Sequence, residues 1–154
     1  MNRSNLPETA PAGYSSNYAA MRDLLRFGPG IMTLTEWAVL LFHAERSTVS
    51  GRFSDQHSQR DALRGMYSPG LGRWVRGPCG VGQGTWVRAN AALVRKGFLK
   101  SYPRWNWHKK NDPTEYEIAW PAISRAIDAW KERQSEALGL FNIDPDFSRP
   151  GGGG

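Results

Sequence analysis

The stretch of sequence that decides the fold runs from Gly80 to Leu99 and reads GVGQGTWVRANAALVRKGFL. Its centre, Thr85–Lys96, consists of good helix formers with one apolar stripe, which predicts a helix seated on the body of the protein. Gly97 follows directly, at the position where a left-handed glycine commonly ends a helix.

The other face of this helix alternates long polar donors with small residues. It carries Gln83, Thr85, Arg88, Ala92 and Arg95. Gln and Arg can each bond two atoms of one base edge, and small residues let a helix approach the floor of a DNA groove. This face therefore predicts a helix that reads duplex DNA.

Two predicted strands follow the helix and form a hairpin with a basic turn. The strands are Phe98–Trp107 and Thr114–Trp120, and the second alternates apolar with acidic or small residues. Basic side chains at the end of the helix and on the hairpin are expected to grip the phosphate backbone or to enter the minor groove. These side chains are Lys96, Lys100, Arg104, Lys109 and Lys110.

Three further helices are predicted ahead of this region. The first, Asn17–Phe27, ends at Gly28-Pro29-Gly30, because these residues commonly break helices. Its expected apolar face consists of Tyr18, Met21, Leu24 and Leu25. The second opens with a capping-box pattern at Thr33 and Glu36, reaches about Arg46 and is apolar on most sides, which predicts a central core helix in which His43 is packed. After a polar connection, Ser47–Ser54, a weaker helix covers Asp55–Met66.

The segment Tyr67–Gly84 is dense in Gly and Pro and predicts a long loop, of a length that is often functional. Apolar residues are expected to hold this loop against the body, namely Leu71, Trp74 and Val75. Arginines in and before the loop extend the expected phosphate track, namely Arg60, Arg64, Arg73 and Arg76.

A last amphipathic helix begins at Pro121, with Ile123, Ile127, Trp130 and Leu138 at helical spacing. It either packs on the body or forms a homodimer. The predicted organisation is a tail over residues 1–16, a DNA-binding domain over 17–120, a C-terminal helix over 121–140 and a second tail over 141–154. The predicted fold class is mainly α with a small β-hairpin (α+β).

The charge of the chain is concentrated in one segment. Between Ala62 and Asn111 there are ten basic residues and no Asp or Glu, whereas the rest of the chain holds all 14 acids and ten bases. A segment with only basic charges creates a positive electrostatic field, and the commonest partner of such a field is a polyanion.

The segment Gly80–Leu99 resembles the recognition-helix segment of bacterial winged helix-turn-helix proteins, in which a Gly-containing turn precedes the helix and a Gly-Leu-Ile exit leads into the wing. The resemblance places Gly82 at the helix cap, Thr85 in the first turn and Gly97–Leu99 at the exit. It turns Trp86, Ala89 and Leu93 inward. It implies a winged helix-turn-helix with a three-helix core plus the C-terminal helix.

Two segments near the N-terminus narrow this resemblance. Tyr18–Leu25 followed by Leu34–Leu41 is similar to the N-terminal DNA-binding domain of phage and plasmid replication proteins, over roughly residues 17–120. The chain departs from that group at Asn90, where a core Leu is usual, and in the long Gly-rich segment Tyr67–Gly82.

Enzymatic chemistry finds little support in the sequence. Gly80-Val-Gly-Gln-Gly-Thr85 lacks the Lys of a phosphate-binding loop, and no hydrophobic strand precedes it. His43, His57, His108 and Cys79 lack the paired spacing of a metal site, and no pair of acids lies in the basic segment. We therefore expect no enzyme, no cofactor and no metal.

The lone cysteine, and the absence of an apolar run after Met1 or of a membrane-length apolar segment, predict a cytoplasmic, nucleoid-associated protein without membrane contact. Its expected function is sequence-specific binding of double-stranded DNA, as a transcriptional regulator or as a phage- or plasmid-type replication-initiation factor. An alternative is an RNA or single-strand binder that uses the aromatic basic hairpin with Trp105 and Trp107, since aromatic rings can stack on unpaired bases. A third hypothesis is a winged helix that binds only proteins.

Overall fold

A computed structural model of the protein describes residue 11 and residues 13–47, 52–102 and 115–140. Five helices and five strands occur in this part of the chain: α1 (Asn17–Ile31), α2 (Leu34–Ser47), β1 (Arg52–Ser54), α3 (Asp55–Arg64), β2 (Met66–Ser68), β3 (Arg73–Arg76), α4 (Gln83–Arg95), β4 (Leu99–Tyr102), β5 (Glu115–Ile118) and α5 (Trp120–Leu140). The protein is mainly helical with small antiparallel sheets, and the predicted α+β class is confirmed at this level.

The larger sheet joins the predicted hairpin to a strand from the preceding connection. Its order is β1-β5-β4, with Leu99 opposite Ile118 in the pair β4–β5 and Phe53 opposite Tyr116 in the pair β1–β5. The prediction of a polar connection over Ser47–Ser54 is wrong for the three residues of β1. A strand this short shows no alternation in the sequence, and its backbone partners come from β5, more than 60 residues further along the chain.

The first helix does not end where the sequence predicts. α1 continues through Gly28, Pro29 and Gly30 to Ile31. The two glycines accommodate tryptophans: a side chain at Gly28 would overlap the Trp37 indole, and a Cβ at Gly30 would lie 2.8 Å from Nε1 of Trp130. The Trp37 Nε1 also donates to the Leu24 carbonyl at 2.8 Å. Tertiary packing thus continues a helix that local propensity would end.

The predicted apolar face of α1 is correct for two of its four residues and wrong for the other two. Leu24 is buried and Met21 packs on the core, but Tyr18 is 73% and Leu25 53% exposed. Ala20 and Gly28 are buried instead, because small residues let α1 lie close to its neighbours.

The start and the core position of α2 are confirmed. Thr33 N–H donates to Glu36 Oε1 at 2.9 Å, and Glu36 N–H donates to Thr33 Oγ1 at 3.2 Å, which is a complete capping box. Further along α2, Val39, Leu40 and Phe42 are buried in the single apolar core.

The Gly-rich segment contains a second hairpin rather than a continuous loop. β2 and β3 pair with each other, and Gly72 has a φ of +64° in the turn between them. The apolar residues expected to hold the segment down, Leu71, Trp74 and Val75, are all exposed, so that prediction is wrong. Two strands of three and four residues are too short to be distinguished from loop by periodicity.

The last helix packs on the body. α5 lies against α1, and Ile123 and Ile127 belong to the same buried core as α2 and α4. Leu138, in contrast, is exposed. None of the helices in the described ranges combines the length and apolar character needed to span a membrane.

Candidate nucleic-acid interface

α4 is seated by one face, as the sequence predicts. Trp86, Ala89 and Leu93 are buried, and the Phe42 ring meets the Trp86 ring edge-on at 5.6 Å. Gly82 is the N-cap residue and makes no side-chain cap, so the first turn of α4 keeps backbone N–H groups available at its exposed end.

The chain leaves α4 through Gly97, whose φ is +81°. A backbone bond from Phe98 N–H to the Leu93 carbonyl, 3.0 Å, closes the turn before β4 begins. The predicted glycine exit is thus confirmed.

A polar pair lies beneath α4 and accounts for Asn90. The Asn90 Nδ2 donates to the Trp86 carbonyl at 3.0 Å, which leaves its Oδ1 to accept from His43 Nε2 at 2.7 Å. His43 is fully buried, and its ring lies 4.9 Å from that of Trp86 and 5.5 Å from that of Tyr116. The expected packed core histidine is confirmed, and Asn90 is its hydrogen-bonding partner.

The outward face of α4 carries the two predicted arginines. Arg88 and Arg95 are exposed, as is Gln83, and within the described part of the chain no acid lies within ion-pair distance of either arginine. Gly84 gives Arg88 space, since a Cβ there would lie 3.2 Å from the Arg88 Nη1. Both arginines therefore face solvent.

Two predicted members of this face lie at its edge. Thr85 and Ala92 are half-buried, because both lie toward the stripe that seats the helix. The small exposed residue between the arginines is Ala91, flanked by the exposed side chains of Val87 and Val94. These three apolar residues were not among those predicted for the exposed face, although a helical wheel with Trp86 and Leu93 inward places them outward.

An open groove runs beside these apolar residues. It lies between α4 and the larger sheet, and its lining includes Gln59, Val87, Val94, Ser101 and Tyr116. The apolar flank of α4 is therefore accessible along much of its length.

The structure gives Lys96 a different role from the predicted one. Its Nζ lies 2.5 Å from Glu36 Oε1, so the end of α4 is tied to the capping box that begins α2. Burial by itself would raise the pKa of the Glu36 carboxyl, but hydrogen bonds from Lys96 and from the Thr33 backbone outweigh it and hold that pKa below its usual value.

Acidic residues from outside the basic segment lie beside several of its cations. Glu45 pairs with Arg76, whose guanidinium also lies over the Phe42 ring at 4.0 Å. Arg76 is largely buried as a result and does not extend an exposed phosphate track, which corrects the prediction. Lys100 is exposed on β4, and its cross-strand partner is Glu117.

The remaining predicted contacts lie outside the described residues. These are Arg104, Lys109 and Lys110, together with the aromatic residues Trp105 and Trp107. Of the further arginines, Arg64 and Arg73 are exposed, and Arg60 lies 3.8 Å from Asp61.

In the described ranges no three residues among His, Cys, Asp and Glu come together as metal ligands would. The N–H of Cys79 donates to the Ala62 carbonyl at 2.8 Å, which fastens the segment before α4 to α3.

Comparisons with protein-family models, with curated proteins and with solved structures gave no match to this chain.

Proposed function

We propose that this protein is a winged helix-turn-helix protein that binds double-stranded DNA with α4 in the major groove. One observation carries the proposal: α4 is anchored by a single stripe and presents Arg88 and Arg95, both exposed and free of acidic partners in the described ranges. The order of helices α2, α3 and α4 followed by the hairpin β4–β5 is the order that the resemblance implies.

The spacing of the two arginines suits base readout. Arg88 and Arg95 are seven residues apart, about 10 Å along the helix axis, or roughly three base-pair steps. The residues between them on this face are small or β-branched, so the helix can enter the groove closely enough for a guanidinium to bond O6 and N7 of a guanine. The open N–H groups at the start of α4 suit a phosphate oxygen.

Two biological roles would use this DNA contact in the same way. A transcriptional regulator and a phage- or plasmid-type replication-initiation factor both require sequence-specific duplex binding. The proposal therefore concerns the DNA contact, which the two uses share.

Selection from random duplexes followed by fluorescence anisotropy tests the proposal. The Arg88→Ala, Arg95→Ala double variant should lose roughly 2–6 kcal/mol of binding free energy on the selected site and approach its affinity for unrelated duplexes. The matched control is Arg133→Ala, which removes an exposed arginine from α5. Its affinity should stay close to that of the unchanged protein.

Two results would contradict the proposal. Absence of any salt-dependent duplex binding would favour the protein-binding hypothesis, because contacts with phosphates release counterions. Stronger competition by RNA or single strands than by every duplex at equal salt would favour the alternative based on Trp105 and Trp107.

A further inference from the structure

The hairpin β2–β3 presents two aromatic rings to solvent. Tyr67 and Trp74 are cross-strand partners, with ring centroids 5.4 Å apart and planes at 68°. Tyr67 is 49% and Trp74 64% exposed, although aromatic residues lose the most by staying in water. Neither ring belongs to the apolar core of the described residues, so core packing does not explain their position.

The base of this hairpin is fixed, so the rings occupy a defined position. Gly65, with a φ of +83°, turns the chain from α3 into β2, and a Cβ there would lie 2.9 Å from the Arg76 carbonyl oxygen. At the same base, on the other strand, Arg76 lies opposite Met66 and is held by Glu45 and by the face of Phe42. The hairpin is thus a supported platform with an exposed aromatic side.

A groove separates this platform from α3, and its other wall is basic. The lining includes Arg60, Arg64, Met66, Tyr67, Pro69 and Trp74, and we call it the α3–hairpin groove. Arg60 and Arg64 are one helical turn apart, so both guanidinium groups project along the same side of α3. The acid in the groove, Asp61, is buried and forms an ion pair with Arg60 at 3.8 Å, so this wall carries two guanidinium groups against one carboxylate.

We propose that the α3–hairpin groove binds single-stranded nucleic acid, with bases stacked on Trp74 and Tyr67 and phosphates bound by Arg60 and Arg64. Two properties of the groove match the two parts of a nucleotide: flat, exposed rings match the base, and guanidinium groups within the same groove match the phosphate. A purely apolar partner would match the rings but would desolvate two arginines without compensation. The site is separate from the outward face of α4, and its proposal does not depend on duplex binding by that helix.

Anisotropy with a labelled oligothymidylate of about 10 nucleotides, added to the full chain, tests this site. Trp74→Ala should raise the Kd for the oligonucleotide roughly 5- to 150-fold, the loss expected for one base–aromatic stack. Arg64→Ala should weaken binding and make the slope of log K against log salt shallower by about 0.7, the value for one phosphate contact on a single strand. Trp74→Phe, which keeps a ring, should retain most of the affinity.

Matched controls separate the groove from general effects of charge and of surface aromatics. Tyr18→Ala removes an exposed ring from α1, and Arg133→Ala removes an exposed arginine from α5, and neither should change the Kd for the oligonucleotide. Trp74→Ala should leave the affinity for a selected duplex unchanged, whereas the Arg88→Ala, Arg95→Ala variant should show the reverse pattern. The two proposals can therefore fail independently.

Several outcomes would overturn the inference. One is an unchanged Kd for Trp74→Ala, and another is a loss with Trp105→Ala but not with Trp74→Ala. Heparin is a polyanion without bases. If heparin competes as effectively per charge as the unlabelled oligonucleotide, the groove attracts charge alone and does not bind bases. A homodimer that dissociates on Trp74→Ala, measured by light scattering, would identify the groove as an interface between two copies.

Discussion

Asn90 shows how a residue that departs from a family pattern can be explained by a partner distant in sequence. His43 lies 47 residues earlier, and each residue is an anomaly in an apolar helix when considered alone. The His43 Nε2 and the Asn90 Oδ1 satisfy each other among aromatic side chains, so neither of these two buried atoms lacks a hydrogen-bonding partner. The pair also links α2 to α4 through a buried hydrogen bond.

Asn90→Leu should therefore destabilise the protein, even though it restores the apolar residue usual at this position. The expected loss is about 1–3 kcal/mol of unfolding free energy, because His43 loses the acceptor of its hydrogen bond. Urea denaturation followed by Trp fluorescence measures it. The double variant His43→Leu, Asn90→Leu should lose less than the sum of the two single variants, and additive losses would contradict a coupled pair.

Gly28 is a second residue whose role depends on a contact. Gly28→Ala improves helix propensity by roughly 1 kcal/mol, but its methyl group would overlap the Trp37 indole, and we expect a net loss of about 1–2 kcal/mol. Thermal unfolding compares it with Gly139→Ala in α5, a matched control where an added Cβ meets nothing within 4 Å. If Gly28→Ala unfolds at the same temperature as Gly139→Ala, close packing against Trp37 does not explain why α1 is continuous.

At the scale of elements, α4 combines two kinds of chemistry on one exposed face. In the proposed duplex complex, Arg88 and Arg95 would donate to guanine, while Val87, Ala91 and Val94 form an apolar flank that suits contact with the C5-methyl of thymine. The arginines are evident in the sequence because they are conspicuous among helix formers. The apolar flank is not evident, because valines in a helix are usually assigned to the core.

Thymines in a selected duplex should consequently contribute to affinity through their methyl groups. Replacing a contacted thymine by deoxyuridine removes one methyl and should weaken binding about fourfold, the value of roughly 0.8 kcal/mol for one buried carbon. Val87→Ala or Val94→Ala should reduce this difference, and anisotropy on the paired duplexes measures it. Equal affinity of the unchanged protein for both duplexes at every thymine would exclude an apolar contact by this face.

The two hairpins illustrate why short strands are hard to predict. The pair β4–β5 alternates apolar and polar residues and follows a clear helix end, so it is evident in the sequence. The strands β1, β2 and β3 have three, three and four residues, which is too few for a periodic signal. Each of them becomes a strand only because a partner lies beside it.

At the scale of the whole molecule, charges that are separate in the sequence become neighbours. The segment Ala62–Asn111 contains no acid, yet Glu36 and Glu45 of α2 bind two of its cations, Lys96 and Arg76. Within the described residues, the positive field of this segment is therefore narrower than the sequence indicates, and its exposed arginines outside these pairs are Arg64, Arg73, Arg88 and Arg95. Steering of a polyanion would then favour those surfaces.

The acid stability of the whole protein should depend on the Glu36–Lys96 pair. Because the folded state lowers the pKa of Glu36, its contribution is present above the ordinary pKa of 4.5 and is lost as the pH falls through the lower folded value. Urea midpoints measured between pH 7 and pH 3 should fall less steeply for Glu36→Gln than for the unchanged protein. An identical pH dependence for both proteins would show that the pair contributes nothing to folding.

By itself, the sequence determined the helices whose apolar pattern is longer than two turns, the capping box at Thr33, the glycine exit at Gly97 and the side of α4 that faces inward. These features depend on local propensity and periodicity, which are properties of neighbouring residues. Only the tertiary structure decided that α1 continues through Gly28-Pro29-Gly30, that Asn90 bonds His43, that Lys96 and Arg76 are occupied by acids, and that Tyr67 and Trp74 face solvent. Each of these depends on a group that is remote along the chain and becomes a neighbour only when the core closes.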